Sequence, residues 1–159
     1  MKKLIFAIFF AITACQTAPS AAFTPEQVAV LESNGFEPFE DGWMLGMSDK
    51  LLFPTDESRI ADQQVMVIEN MTEALMQVGI QGARVVGHTD STGTAEYNSA
   101  LSLERANAVK AAIVQSGMDE DNVRAEGAGE SQPVESNATA AGRQENRRVA
   151  IIVTSIDAS

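Results

Sequence analysis

Apolar and polar positions follow two rhythms along this chain, and the switches between them mark out its elements. Over residues 57–78 the apolar residues Ile60, Val65, Ile68, Met71, Leu75 and Met76 recur at helical spacing, which predicts an amphipathic helix ended by Gly79. A second helix is predicted over residues 96–115, with Thr94 as its cap and Glu96 in an acidic first turn. Thr24-Pro25-Glu26-Gln27 reads as the capped start of a shorter helix that ends by Gly35, with proline at the first helical position and Gln27 closing a capping box. Between helices the rhythm is extended. Runs at 36–39 and 43–47 flank the turn pair Asp41-Gly42 and predict a hairpin, and further strands are expected at 50–53, 83–87, 122–126 and 147–154. The alternation predicts an α+β fold, a two-layer sandwich with two helices packed on one face of a mixed sheet. Residues 127–145, rich in Gly, Ser, Asn and Thr, read as a loop between the last two strands.

The candidate chemistry sits where the 83–87 strand hands over to the 96–115 helix. Gly87-His88-Thr89-Asp90-Ser91-Thr92-Gly93 is followed by Tyr97-Asn98, Leu101-Ser102 and Arg105-Ala106. Asn98, Leu101, Ser102 and Arg105 recur at intervals of three and four, so they share one helix face. A loop carboxylate and a helical guanidinium so placed suit a small zwitterion: Asp90 accepts from an ammonium while Arg105 grips a carboxylate through two parallel N–H donors, which lysine cannot do. By spacing alone, an Asp and an Arg this close more often form a surface ion pair. The segment resembles the signature of the OmpA-like peptidoglycan-binding domain, G-H-T-D-x-x-G-x-x-x-Y-N-x-x-L-S-x-x-R-A, and matches it at every fixed position. That resemblance implies a ligand, the free diaminopimelate end of a peptidoglycan stem peptide, and implies Asp90, Arg105, Asn98 and Leu101 as its contacts.

Two further contacts follow from the same resemblance. Asp56 stands where the family often carries Asp or Asn, and its alternative role is a helix cap. Residues 127–149 resemble the family's G-x-G-x-x-x-P and N-x-T-x-x-G-R-x-x-N-R-R-V patterns, which brings residues 146–148 near the cleft. Arg147 and Arg148 begin a strand and so point to opposite faces; one of them is structural, and Arg148 is taken as the second contact. His88 reads as a hydrogen-bonded structural residue. Asn137-Ala138-Thr139 matches a glycosylation sequon in form only.

The chain opens with Met1-Lys2-Lys3, an apolar run over 4–12, and Thr13-Ala14 before the only cysteine, Cys15. This is the layout of a secretion signal, too short to span a membrane. Ile12-Thr13-Ala14-Cys15 resembles a bacterial lipobox, which implies cleavage after residue 14 and a lipid such as palmitate on Cys15; a secretion signal with a chance cysteine is the alternative. Gln16 resembles the residue that follows the cysteine in lipoproteins sent to the outer membrane. The expected organisation is a signal peptide over 1–14, a lipid-anchored linker over 15–22, a helix and hairpin extension over 23–47, and an OmpA-like domain over 48–155. The formal net charge of −11, more negative still without Lys2 and Lys3, argues against nucleic acid as a partner.

The resemblance reaches beyond the domain. Residues 24–31, Gly35-Phe36-Glu37, Asp41-Gly42-Trp43, Gly46-Met47-Ser48 and 145–153 look like the YfiB-type lipoproteins. Members of that family bind peptidoglycan from the outer membrane and capture a periplasmic repressor, which frees an inner-membrane diguanylate cyclase for c-di-GMP signalling. The resemblance implies Phe36, Phe39, Trp43 and Met44 as partner contacts, although a Trp and Met cluster can equally be core. A plain Pal-type tether between outer membrane and wall is the alternative; it would not need residues 23–47 to be apolar and aromatic. Extended, those residues and the linker would reach on the order of 100 Å; packed on the domain, they would leave only the linker, about 25 to 30 Å. A homodimer stays open. No enzyme is expected, because no nucleophile and base pair is visible, the acidic residues are scattered, and the lone histidine lacks a ligand set for a metal. No cofactor is expected.

Overall fold

A computed structural model describes residues 23–53 and 59–158. Helix α1 (Pro25–Ser33) is opened by the expected capping box: Thr24 Oγ1 accepts from the Gln27 amide, and Gln27 Oε1 accepts from the Thr24 amide at 2.8 Å. Strands β1 (Glu37–Phe39) and β2 (Gly42–Ser48) form the hairpin, with Glu40 and Asp41 as its two-residue turn and Glu40 at φ 48°. The helical turn α2 (Asp49–Leu52), helix α3 (Asp62–Gln77), strand β3 (Ala83–His88), helix α4 (Ala95–Gln115), strand β4 (Val123–Gly129), helix α5 (Ala140–Asn146) and strand β5 (Arg148–Thr154) complete the order.

The five strands lie in the order β1-β2-β5-β3-β4, antiparallel throughout except for the parallel pair β3 and β4. The sheet is therefore mixed, as the rhythm of the sequence predicts, and three helices, α1, α3 and α4, cover one face where two were expected. Leu31 of α1, Ile68, Met71 and Leu75 of α3, and Val109 and Ile113 of α4 pack there against Val85 of β3 and Val149, Ile151 and Val153 of β5. The extension is part of this core. β2 pairs with β5 along its whole length, from Gly42 opposite Thr154 to Ser48 opposite Arg148, so a boundary between residues 47 and 48 runs through a paired strand. On the opposite face Val86, Ala150 and Ile152 form a smaller cluster with Phe39, Met44 and Ala128 against it.

Two local expectations are corrected. Residues 50–53 form no strand: they pair with none of the five strands, and Leu52 and Phe53 are buried while Leu51 is 64% exposed. The chain turns helically instead, with the Phe53 amide donating to Asp49 O at 2.9 Å. Residues 127–145 are not all loop. β4 runs on to Gly129, and α5 begins at Ala140, capped by Thr139, whose hydroxyl accepts from the Gly142 amide at 3.0 Å. Of the methionines on α3, Met71 is buried and Met76 partly so, whereas Met66 is 56% exposed.

The placement of α4 decides where the site forms. A Cβ on Gly87 would lie 1.9 Å from Ser102 O, and one on Gly127 would lie 2.7 Å from Ser99 O, so both strands present bare backbone to a helix resting directly on them. Ser102 completes the seat by accepting from the Gly129 amide at 3.0 Å.

Candidate functional site

β2 and β3 both end, and β5 begins, along one line: Ser48, Arg148 and His88 are neighbours in register. The residues just beyond those ends, Asp49, Arg147 and Asp90, therefore meet at one end of the sheet, and α4 brings Arg105 to the same place. Two ion pairs result. Arg147 Nη1 donates to Asp90 Oδ2 at 2.5 Å, and Arg105 Nε lies 3.0 Å from Asp49 Oδ1. The two expected recognition groups, Asp90 and Arg105, are thus at one site, but each is paired with a residue other than its expected fellow.

Asp90 is fixed from several sides. Its Oδ1 accepts from the Thr92 amide at 2.8 Å, and its carbonyl accepts from Asn98 Nδ2 at 3.2 Å. Burial works against its charge, but the Thr92 donors and Arg147 outweigh that, and the carboxyl lies below its ordinary pKa. Asn98 is 2% exposed and also donates to Glu130 Oε2 at 2.6 Å, so it acts as a tie between loops. Leu101 is half-buried on the same helix.

Arg105 is clamped between charge and ring. Its guanidinium carbon lies 5.4 Å from the centroid of the buried Phe53 ring, a cation–π distance. Burial pushes the Asp49 carboxyl above the usual carboxylate range; Arg105 and Arg147 pull against this, and the charge of Asp90 adds to it. Asp49, Asp90, Arg105 and Arg147 thus form one electrostatic group of two carboxylates and two guanidiniums.

Arg147 and Arg148 do diverge, but it is Arg147 that joins Asp90. Arg148 is carried to the sheet face opposite α1, α3 and α4, where it lines a hollow with Met44, Ser48, Val134 and Gln144 and Glu145 of α5, and its Nη2 reaches only Gln132 O at 3.4 Å. His88, 4% exposed, sits beside it in register; burial and the Arg148 charge lower its pKa to about 4, so it is neutral in the fold. Asp56 and Cys15 lie outside the described residues. Of the four residues named for a protein partner, Phe36 is 3% exposed and Trp43 packs against the helix-side core, whereas Phe39 and Met44 lie on the opposite face.

Three residues that the sequence does not name as contacts organise this region: Asn146 and Arg147, which it places only near the cleft, and Asp49, which it misses. Asp49 and Arg147 supply the two ion pairs. Asn146, fully buried, accepts from the amides of Val134 and Glu135 at 2.8 and 2.9 Å and donates to Glu135 O and to Asn137 Oδ1 at 2.8 and 3.0 Å. Asn137 Oδ1 also accepts from the Ser91 amide at 3.2 Å, which ties the loop before β5 to the loop carrying Asp90. The N-x-T-x-x-G-R-x-x-N-R-R-V pattern contains these asparagines; only the fold reveals their work. Among the described residues no group of His, Cys, Asp and Glu could hold a metal, and no helix is long and apolar enough to cross a membrane.

A mixed sheet with helices on one face, and a cluster of two carboxylates and two guanidiniums at the end of its third strand, define a class: residues 52–147 match the OmpA family, and the chain belongs to it. It is 41% identical over 150 residues to the outer-membrane lipoprotein YfiB of Pseudomonas aeruginosa, spanning 94% of this chain and 89% of that protein. To the lipoprotein YfiB of Escherichia coli it is 40% identical, spanning 97% of this chain and 98% of the other. Among solved structures it is similar to the cell wall anchor of the T6SS from Pseudomonas aeruginosa, with a TM-score of 0.69 at 28% identity, covering 80% of this chain and 96% of that one. The peptidoglycan-associated lipoprotein of Burkholderia pseudomallei gives a TM-score of 0.57 at 28% identity, covering 64% and 86%.

Proposed function

We propose that this protein is a lipoprotein of the outer membrane, facing the periplasm through a lipid on Cys15, that binds peptidoglycan non-covalently. Asp90 takes the ammonium, and Arg105 the carboxylate, at the free diaminopimelate end of a stem peptide. The observation that carries the reading is the convergence of Asp90 and Arg105 at one end of the sheet, with the family match over the same residues and near full-length similarity to lipoproteins. Arg147 holds Asp90 ready and ionised, so the acidic half of the site is set before a ligand arrives.

The finer part of the reading concerns a second partner. The similarity to YfiB covers the helix and hairpin extension, and supports capture of a periplasmic repressor that would otherwise inhibit a diguanylate cyclase. In this reading Phe39 and Met44, which pack on the sheet face opposite the helices of the core, are the hairpin side chains that meet it; Phe36 and Trp43 serve the core.

The test is sedimentation of the soluble form, lacking residues 1–22, with purified diaminopimelate-type peptidoglycan. Wild type is expected in the pellet, and Asp90→Asn in the supernatant with its fold intact by circular dichroism. Equal partition of the two forms would refute the wall site.

A further inference from the structure

Arg105 is the group expected to take the ligand's carboxylate, yet a carboxylate is already there. Asp49 Oδ1 lies 3.0 Å from Arg105 Nε, and the two side chains are only 14% and 15% exposed. The contact is close but poorly directed. Both facing atoms, Arg105 Nε and Asp49 Oδ1, are shut away from solvent without a hydrogen bond, because the N–H is not aimed along the line that joins them. A buried donor and a buried acceptor left unsatisfied against each other cost more than a well-made pair. Such a pair is held by charge alone and yields to a partner that can satisfy the guanidinium fork through two aligned bonds.

We propose that Asp49 is a built-in stand-in for the ligand's carboxylate, which occupies Arg105 in the free protein and must be displaced when the diaminopimelate end binds. This rests on the reading of the wall site given above and adds to it the control of that site. Displacement is cheap for three reasons. Phe53 keeps the Arg105 guanidinium in place under its ring contact when Asp49 leaves. Arg147 stands within electrostatic reach of Asp49 and takes up part of its charge. Asp49 also lies at the first residue of a four-residue helical turn, so its side chain can swing without breaking a long element.

The position of Asp49 in the chain gives the contact a second meaning. It directly follows Ser48, the last residue of β2, and its amide donates to Arg147 O at 3.0 Å. One residue thus ties the hairpin to both ion pairs of the cleft, through its carboxylate to Arg105 and through its backbone to the residue that holds Asp90. Any displacement of β2 shifts the stand-in.

Calorimetric titration of a stem tripeptide ending in free diaminopimelate into the soluble form tests this. Asp49→Asn and Asp49→Ser, each checked for folding by thermal melting, are expected to bind about three- to tenfold more tightly than wild type, since the internal competitor is gone. The gain should vanish when Arg105→Lys is added. Unchanged or weaker binding by the folded variants, with wild type binding, overturns the stand-in and leaves the wall site standing. No binding by wild type or variants overturns both. A readout on the wild type needs no variant: the carboxyl-carbon NMR resonance of Asp49 should move when the protein is saturated with the tripeptide, and a resonance that stays fixed counts against the proposal.

Discussion

At the scale of single residues, His88 makes the plainest commitment. A histidine whose pKa falls from 6.5 to about 4 on folding binds fewer protons folded than unfolded through that interval. Its contribution to stability is therefore complete above pH 6.5 and is lost as the pH falls toward 4, by an amount of at most about 3 kcal/mol. Thermal melts between pH 7 and pH 4 are expected to show a falling Tm for wild type and a flatter profile for His88→Gln; parallel profiles would show that His88 is not the group that titrates. Asp90 behaves oppositely to a simple cleft-surface residue. At 7% exposure, with Thr92 and Arg147 bound to it, Asp90→Ala is expected to cost about 1–3 kcal/mol of stability, measurable by urea unfolding, because Arg147 and the Thr92 amide lose their acceptor. The isosteric Asp90→Asn is the better probe of binding for that reason. Sequence spacing alone places Asp90 and Arg105 near each other, but Asp49 escapes it, because its partner lies far along the chain and no periodicity links them.

At the scale of elements, the contact between α4 and the sheet is the most constrained. Gly87→Ala would drive a methyl into Ser102 O, and since backbone stands on both sides neither can yield cheaply. The expected cost is about 3 kcal/mol, read as a lower urea midpoint with the slope unchanged. Loss of wall binding should follow, because α4 carries Arg105. A Gly87→Ala protein of wild-type stability would mean that α4 does not rest on β3 so closely. Where an element has a long rhythm or a strong cap, its sequence shows it: α1, α4 and the hairpin stand within a few residues of expectation, and α3 ends where expected but begins five residues late, at Asp62. The short elements do not. Leu51-Leu52-Phe53 is too brief for periodicity to separate a helical turn from a strand, and α5, which contains Gly142 and no apolar stripe, owes its form to Thr139 and to the buried Asn146. Likewise the pattern at Arg147 and Arg148 shows that the two side chains diverge, while the register of β5 against β2 and β3 decides which of them meets Asp90.

At the scale of the whole molecule, the extension is a structural partner of the domain. α1, the link to β1, and β2 supply Leu31, Phe36 and Trp43 to the core, and β2 satisfies one entire edge of β5. A fragment that begins at Asp49 would bare that edge together with Ile151 and Val153, and is expected to aggregate or to lose its cooperative melt; size-exclusion chromatography and circular dichroism would reveal a fragment that stays monomeric and folded. With 24–48 packed, a lipid on Cys15, as proposed, would leave residues 15–22 alone to supply the reach, at most about 25 to 30 Å. The apolar character of 23–47, which the sequence ties to a second partner, is met in good part by the core. Only Phe39 and Met44 remain to argue for one.

β5, the last strand of the described chain, lies in the middle of the sheet between β2 and β3. Until β5 has been made nothing joins β2 to β3, so the hairpin and the β3–β4 unit remain two unjoined halves up to that point. Contacts between residues so far apart form slowly. A polypeptide meant to cross a membrane before it folds gains time from such an arrangement: the strand that locks the sheet is made after every strand it joins.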